Sequence, residues 1–311
     1  MITNRLSRTL SALNRQPIPL RNVQCQATQK LSLISWNIDA FSPRPVSRAK
    51  LILSHILEAP NPPDLLFLQE VTPEVRASLL GDASVRAVFL ATDAEDQTSF
   101  ASEDVPFATM TFLSSARFTS ALDSQKEGDG MAERGEKFTI GPVSRVMLPS
   151  KYRRDALSVD VIHPRPMSPG TVFRLINVHL DSLWNTLHYR AKQMEILANV
   201  LREPGCSGGI IAGDFNAISP EDDGLVDKNG LVDAWVALHG RADLDGATWG
   251  VGVERRGGFR SGRLDKVAMM GIQAEEIKVL RPGTIEVPRP GEKPVEIHWS
   301  DHCGLRFTFI I

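Results

Sequence analysis

Ile210-Ile211-Ala212-Gly213-Asp214-Phe215-Asn216 decides how this chain is read. Gly209 to Ala212 is a short apolar run of the kind that forms a buried strand. Gly213 lets the backbone turn tightly as the chain leaves that strand, so Asp214 and Asn216 can point into one cleft. Taken alone, the same residues also describe a structural turn.

Outward from this stretch the pattern recurs: a run of apolar residues, then a polar side chain able to do chemistry. Upstream, Asn177-Val178-His179-Leu180-Asp181-Ser182 places His179 at the end of an expected strand, Val172 to Val178. Leu66-Phe67-Leu68-Gln69-Glu70-Val71 runs straight into a carboxylate, which is costly to desolvate without a cation or another partner. Ser35-Trp36-Asn37-Ile38-Asp39 follows the expected strand Leu31 to Trp36. Downstream lie Gly262-Arg263-Leu264-Asp265-Lys266-Val267 and Trp299-Ser300-Asp301-His302-Cys303-Gly304.

Each element alone passes for a strand-end cap, a surface glutamate, a core histidine or a polar turn. Asn, Glu, His, Asp-x-Asn, Asp and Asp-His in this order, at the ends of apolar runs, are not expected from unrelated caps. Carboxylates and histidines gathered around one cleft are what metal-assisted phosphoryl transfer requires. In that reading Glu70 is the first metal ligand, with Asn37 and Asp39 able to orient a phosphate and a hard cation. Asp214 orients and deprotonates the attacking water, and Asn216 holds the phosphate. His179 donates a hydrogen bond that strengthens as charge develops. Asp265 fixes the tautomer of His302 and raises its basicity.

Bulk properties agree. The chain has 311 residues, 42% of them hydrophobic, and a formal net charge of -2. That is enough to bury a sizeable core, with no apolar stretch long enough to cross a bilayer, so a soluble globular protein is expected. The charge does not favour extensive non-specific wrapping of duplex nucleic acid. Cys25, Cys206 and Cys303 show no paired spacing, which argues against a disulfide framework or structural zinc site and for a reducing, intracellular compartment. Residues 1 to 30 carry five basic side chains and no acidic one. They read as a disordered basic arm or a transit segment, and the latter would permit a mitochondrial destination beside a nuclear or cytoplasmic one.

From Leu31 on, β-rich runs alternate with amphipathic patterns, so one α/β catalytic domain over 31–311 is expected, with two sheets face to face and helices outside. Helices are expected over Val46 to Ala59, from Pro73 through Leu80 behind the cap Thr72, and over His188 to Leu201. Further strands are expected at Leu65 to Leu68, Val85 to Ala91, Phe107 to Leu113, Val143 to Leu148, Ala156 to Ile162, Leu264 to Met270, Glu276 to Leu280 and Gly304 to Ile310. Ser120 to Lys137 reads as a loop or hairpin tip, and Pro282, Pro288, Pro290 and Pro294 mark a loop before the last strand.

The ordered set WNID, LQEV, HLDS, GDFN, RLD and SDH resembles the endonuclease/exonuclease/phosphatase superfamily. WNID with LQEV, the His-Leu-acid-Ser element, Thr248-Trp249 before RLD, and Pro149-Ser150 followed by Tyr152-Arg153-Arg154 resemble its type 2 5′-tyrosyl-DNA phosphodiesterases. Ala40, Asp181 and Phe215 depart from that branch, which usually has Gly, Glu and Thr there. The resemblance implies a DNase I-like four-layer α-β-β-α sandwich of two packed mixed β-sheets. It also implies Mg2+ as cofactor, with Mn2+ an alternative, and hydrolysis of a 5′-phosphotyrosyl-DNA linkage to a 5′-phosphate by a monomeric DNA repair enzyme. Asp39 and Asp301 would then be auxiliary metal groups, and Trp249 and Arg154 would contact the DNA strand. Other superfamily substrates are the alternative: abasic DNA, an exonuclease or deadenylase target, a lipid or small-molecule phosphate. An inactive binding module is another. Nothing in the sequence identifies a protein partner.

Overall fold

The computed structural model describes residues 29–100, 105–120, 137–164, 170–241, 245–252 and 261–311. The basic arm up to residue 28 and residues 121–136 of the expected loop lie outside the described residues. In chain order the strands are β1 (Lys30–Asn37), β2 (Leu65–Val71), β3 (Phe89–Ala91), β4 (Ala108–Ser114), β5 (Phe118–Ser120), β6 (Phe138–Met147), β7 (Asp155–Ile162) and β8 (Val172–His179). They continue with β9 (Cys206–Asp214), β10 (Val232–Asp233), β11 (Asp265–Met270), β12 (Gln273–Leu280), β13 (Thr284–Val287), β14 (Val295–His298) and β15 (Gly304–Ile310). The helices are α1 (Pro45–Leu57), α2 (Pro73–Gly81), α3 (Ala83–Val88), α4 (Leu187–Leu201), α5 (Pro220–Asp223), α6 (Leu225–Lys228) and α7 (Ala234–His239).

Among the described residues the strands form two mixed sheets, six strands in the order β12-β15-β1-β2-β4-β3 and seven in the order β10-β11-β9-β8-β7-β6-β5, while β13 and β14 pair only with each other. Side-chain alternation sorts the layers. Leu31 and Leu33 of β1, and Leu65 and Phe67 of β2, pack against Leu175, Ile210, Ala212 and Val267 of the other sheet. The opposite parity, Ile34, Trp36, Leu66 and Leu68, covers itself with Ala49, Ile52, Leu53 and Ile56 of α1. On the second sheet's outer face, Ile176, Val178, Ile211 and Ala268 meet Met194, Leu197, Ala198 and Leu201 of α4. Period-2 strands and period-3.6 helices thus give the four-layer sandwich the sequence implied. Each fully buried Leu or Phe contributes about 1.5–3 kcal/mol.

Two expectations are corrected. Val85 to Ala91 is not a strand throughout: α3 runs to Val88 and only Phe89–Ala91 extends. Asp82 causes the difference, since its side chain accepts from Ser84 N and Val85 N and nucleates the helix. The Pro-rich stretch before β15 contains the β13–β14 hairpin, with Thr284 opposite His298 and Val287 opposite Val295. Pro288, Pro290 and Pro294 fall between these strands, where no ladder donor is needed. Elsewhere the expected elements shift only at their ends. Thr72 caps α2 as expected, accepting from Val75 N. No helix among the described residues is long and apolar enough to cross a membrane.

Candidate active site

The site grows from the same alternation that builds the core. Along β1 the inward parity runs Leu31, Leu33, Ser35, Asn37; along β2 it runs Leu65, Phe67, Gln69. On the second sheet it runs Leu175, Asn177, His179 along β8 and Ile210, Ala212, Asp214 along β9, while Val267 leads back to Asp265 at the start of β11. Each strand is apolar at mid-sandwich and polar at one end, and all these ends coincide. The registers bring them level: Asn37 lies beside Gln69, His179 beside Asp214, and Asp214 beside Asp265.

A buried amide link marks the change from core to site. Gln69 Nε2 donates to Asn177 Oδ1 at 2.8 Å, and Asn177 Nδ2 donates to Met110 O at 3.0 Å, tying the two sheets together. Neither amide was singled out from the sequence, although both stood inside the motifs. Their exchange satisfies polar groups that would otherwise be costly inside the sandwich.

Local backbone geometry then aims the side chains. Gly213 has φ 144, and a Cβ there would sit 1.9 Å from Val178 O, so only glycine allows β8 to approach β9 this closely. Glu70 has φ 58 and follows a register shift in the β2–β4 pairing after Leu68. This irregularity turns its carboxylate to the cleft, where Oε2 accepts from Ala40 N at 2.8 Å and Oε1 from Asn37 Nδ2 at 3.2 Å. Asn37 Nδ2 also donates to Asp214 Oδ2 at 3.0 Å, while Asn216 N donates to Asp214 Oδ1 at 2.8 Å. Asn216 donates its own Nδ2 to Leu180 O at 2.9 Å.

The two histidines flank Asp214 and differ in charge. His302 Nδ1 lies 2.8 Å from Asp265 Oδ2, and its Nε2 is 3.7 Å from Asp214 Oδ2. Burial alone would lower its pKa, but the Asp265 and Asp214 carboxylates outweigh that and hold it well above the ordinary value. His179 Nε2 is 3.5 Å from Asp214 Oδ2 and accepts from Arg154 Nη2 at 3.1 Å. Burial, and the charges of Arg154 and His302, push it well below the ordinary value, so it is neutral. Burial raises Glu70, and raises Asp214 to about 7 with the Asp265 charge adding to it and His302 opposing.

The remaining expected residues reach the same cleft in different ways. Arg154 is buried rather than a surface cation, with its guanidinium 5.2 Å from the centre of the Phe107 ring. Trp249 is half-buried and donates Nε1 to Asp301 Oδ2 at 2.9 Å. Asp39 is engaged in shaping a turn: its Oδ1 accepts from Phe41 N and Ser42 N, and Oδ2 is 3.7 Å from Arg48. Glu70, Arg154, His179, Asp214, Asn216, Trp249, Asp301 and His302 all line one cleft of about 1470 Å³.

Three further residues hold this arrangement together. Ser300 Oγ donates to Asn37 O at 2.6 Å and accepts from His302 N at 3.0 Å, pinning the histidine loop to β1. Arg48, fully buried in α1, donates to the carbonyl oxygens of Ile38, Asp39, Ser42, Pro43 and Trp299. Asp181 accepts from Ser150 Oγ, Lys151 N and Gln193 Nε2, fixing the loop that carries Arg154. Ser300 and Asp181 stood inside sequence motifs, SDH and the His-Leu-acid-Ser element, whereas Arg48 had no sequence signal.

Donor atoms for an ion are present in two groupings. Asp214, Asp265 and His302 offer ligand atoms within 4.8 Å of one another. Glu70 offers a mostly buried carboxylate that accepts from Asn37 Nδ2 and Ala40 N and lies 3.9 Å from His179 Nε2. Asp265 Oδ2 is taken by His302 Nδ1, and a protonated imidazole is no ligand, so an oxygen-preferring cation fits Glu70 better.

Two packed sheets with carboxylates, amides and histidines converging at one edge define an α-β-β-α phosphoesterase. The sequence profile of the Endonuclease/Exonuclease/phosphatase family matches residues 34–302, and the protein belongs to that family. Its enzymes are divalent-metal-dependent phosphoester hydrolases. No curated protein sequence matches the chain. Among solved structures, D. rerio TDP2 complexed with single strand DNA product aligns with TM-score 0.63 and 22% identity, over 90% of this chain and 98% of that one. The human Nocturnin catalytic domain with bound sulfate aligns with TM-score 0.54 and 18% identity, over 91% and 96%. A Bacteroides thetaiotaomicron mannosyl-6-phosphatase aligns with TM-score 0.56 and 16% identity, over 90% and 100%. At these identities the likeness is one of fold.

Proposed function

We propose that this phosphoesterase hydrolyses the phosphodiester between a tyrosine and the 5′ end of DNA, leaving a 5′-phosphate. The observation that carries the chemistry is the convergence of Glu70, Asn37, His179, Asp214, Asn216 and the Asp265–His302 pair on one cleft. The substrate is supported by the TDP2-like motifs, the fold shared with D. rerio TDP2 in complex with a single strand DNA product, and Arg154 and Trp249 in the cleft wall.

Glu70 would hold a divalent cation, magnesium or manganese, with Asn37 steadying its carboxylate and Asp301, which lines the same cleft, as an auxiliary group. When bound, the ion would neutralise charge on a phosphoryl oxygen. Asp214, between Asn37 and the two histidines, would orient a water and take its proton. His302, charged and aligned by Asp265, would donate Nε2–H to a phosphoryl oxygen as negative charge grows there. Arg154 donates to His179 Nε2 in the free protein; a bound phosphoryl group would accept from Arg154 in its place, and neutral His179 would donate to it once its proton moves from Nδ1 to Nε2, with Asn216 beside them. A phenolate is a fairly good leaving group, so little general-acid assistance is needed. Acting on DNA ends implies a nuclear or cytoplasmic enzyme, or a mitochondrial one if residues 1 to 30 direct transport.

Purified protein given a 5′-tyrosyl oligonucleotide in magnesium should release tyrosine and a 5′-phosphorylated strand. It should prefer that substrate by orders of magnitude over abasic duplex, polyadenylate and sugar phosphates. Release from one of those instead would keep the chemistry and overturn the substrate.

A further inference from the structure

Leu183, Trp184 and Phe41 stand out because large apolar side chains on a water-filled cleft are unfavourable unless something covers them. They are 57%, 63% and 74% exposed, and all three line the active-site cleft. Leu183 and Trp184 follow β8 directly beyond His179, whereas Phe41 follows β1 beyond Asn37.

The Leu183–Trp184 loop is built, not slack. Leu183 has φ 75 and ψ 161, a conformation that costs a non-glycine residue about 1–3 kcal/mol and persists only when its surroundings impose it. Buried Arg190 imposes it, donating Nη1 to Asp181 O and Leu183 O, both at 2.9 Å. Asp222 grips the same guanidinium at 2.7 and 2.9 Å, and Thr186 Oγ1 closes the turn onto Leu183 O at 2.8 Å. A rigid support therefore displays two apolar side chains outward in a strained turn.

Phe41 ends a ladder of rings. His179 stacks on Phe107 with centroids 5.7 Å apart and planes 18° apart, and Phe107 meets Phe41 edge-on at 5.6 Å. The same cleft is lined by the run Lys151-Tyr152-Arg153-Arg154, in which Lys151 and Arg153 are exposed. Aromatic faces interleaved with basic side chains are how proteins grip an unpaired nucleic acid strand: bases stack, and cations follow the phosphates. A tyrosine-bearing peptide would offer rings but no further phosphates for Lys151 and Arg153.

From this we infer that Leu183–Trp184 and Phe41 form a platform for unpaired bases of the DNA strand adjoining the scissile phosphate. The inference rests on the nucleic-acid reading above and adds the residues that grip the bases. Base specificity at such a platform is low, because every base has a π-face.

The test uses the full chain and a single-stranded DNA of about six nucleotides with a 5′-phosphate, alongside the same strand abasic at its first two positions. Wild type should bind the abasic strand about 10-fold or more weakly. Trp184→Ala should bind the base-bearing strand with a loss of similar size, and should no longer distinguish the two; Trp184→Phe should recover most of the affinity. An unchanged base-bearing to abasic ratio in Trp184→Ala, or none in wild type, overturns the platform. So does a Trp184→Ala defect confined to a phosphotyrosine peptide, which would assign the patch to the protein side. Because binding is read without turnover, a wild type that grips bases through Trp184 but releases no tyrosine would overturn the substrate and leave the platform standing.

Discussion

Asp214→Asn will lower kcat by roughly 10³-fold while the protein stays folded. The carboxylate is 2% exposed; its partners are Asn37 Nδ2, Asn216 N, neutral His179 at 3.5 Å and charged His302 at 3.7 Å. Burial has pushed it to about 7, the signature of a group kept for chemistry at a cost to the fold. Asparagine keeps the shape but cannot accept a proton. Steady-state rates beside a thermal melt check this: equal activity in variant and wild type would point to a binding module or a contaminating hydrolase.

Asp265→Asn should lower kcat by about 10²–10³-fold with a smaller change in KM, although Asp265 touches no substrate. Its Oδ2 holds the Nδ1–H of His302, which leaves the other nitrogen on the Asp214 side of the cleft and keeps the ring charged. An asparagine offers no charge and can present its amide donor instead. The sign on stability follows. Because the folded pKa of His302 lies above its unfolded value, the pair stabilises the fold fully below about pH 6.5, and this stabilisation is lost as pH rises through the folded pKa. The variant should therefore be less stable than wild type at pH 6, with the gap closing at alkaline pH. In metal-free protein, NMR titration should find His302 charged well above the ordinary histidine range, and lowered in Asp265→Asn. An unshifted His302 in both would contradict the pairing.

The four layers were legible because alternation along Leu31–Asn37, Leu65–Gln69 and Gly209–Asp214 is a local signal with one physical meaning. The active-site ends were legible for the same reason: a polar residue closing an apolar run breaks the pattern visibly. What failed had a non-local or backbone cause. Asp82 turned Val85–Val88 into a helix by capping it, against the β preference of its valines. The left-handed turn at Glu70 depends on how β2 pairs with β4, which no residue in LQEV announces. Arg154 is buried because Asp181, 27 positions later in the chain, anchors its loop. Arg48 reads as an ordinary helix cation, yet it satisfies five carbonyl oxygens beneath the site.

Anomalous diffraction from crystals grown with manganese and inorganic phosphate asks most directly whether these side chains serve one ion and one phosphoryl group. A single strong peak about 2.0–2.2 Å from a Glu70 carboxylate oxygen, with phosphate against His179, Asn216 and His302, is the expected result. A cleft that stays free of metal at saturating manganese, or an ion held only at a distant surface, would contradict it.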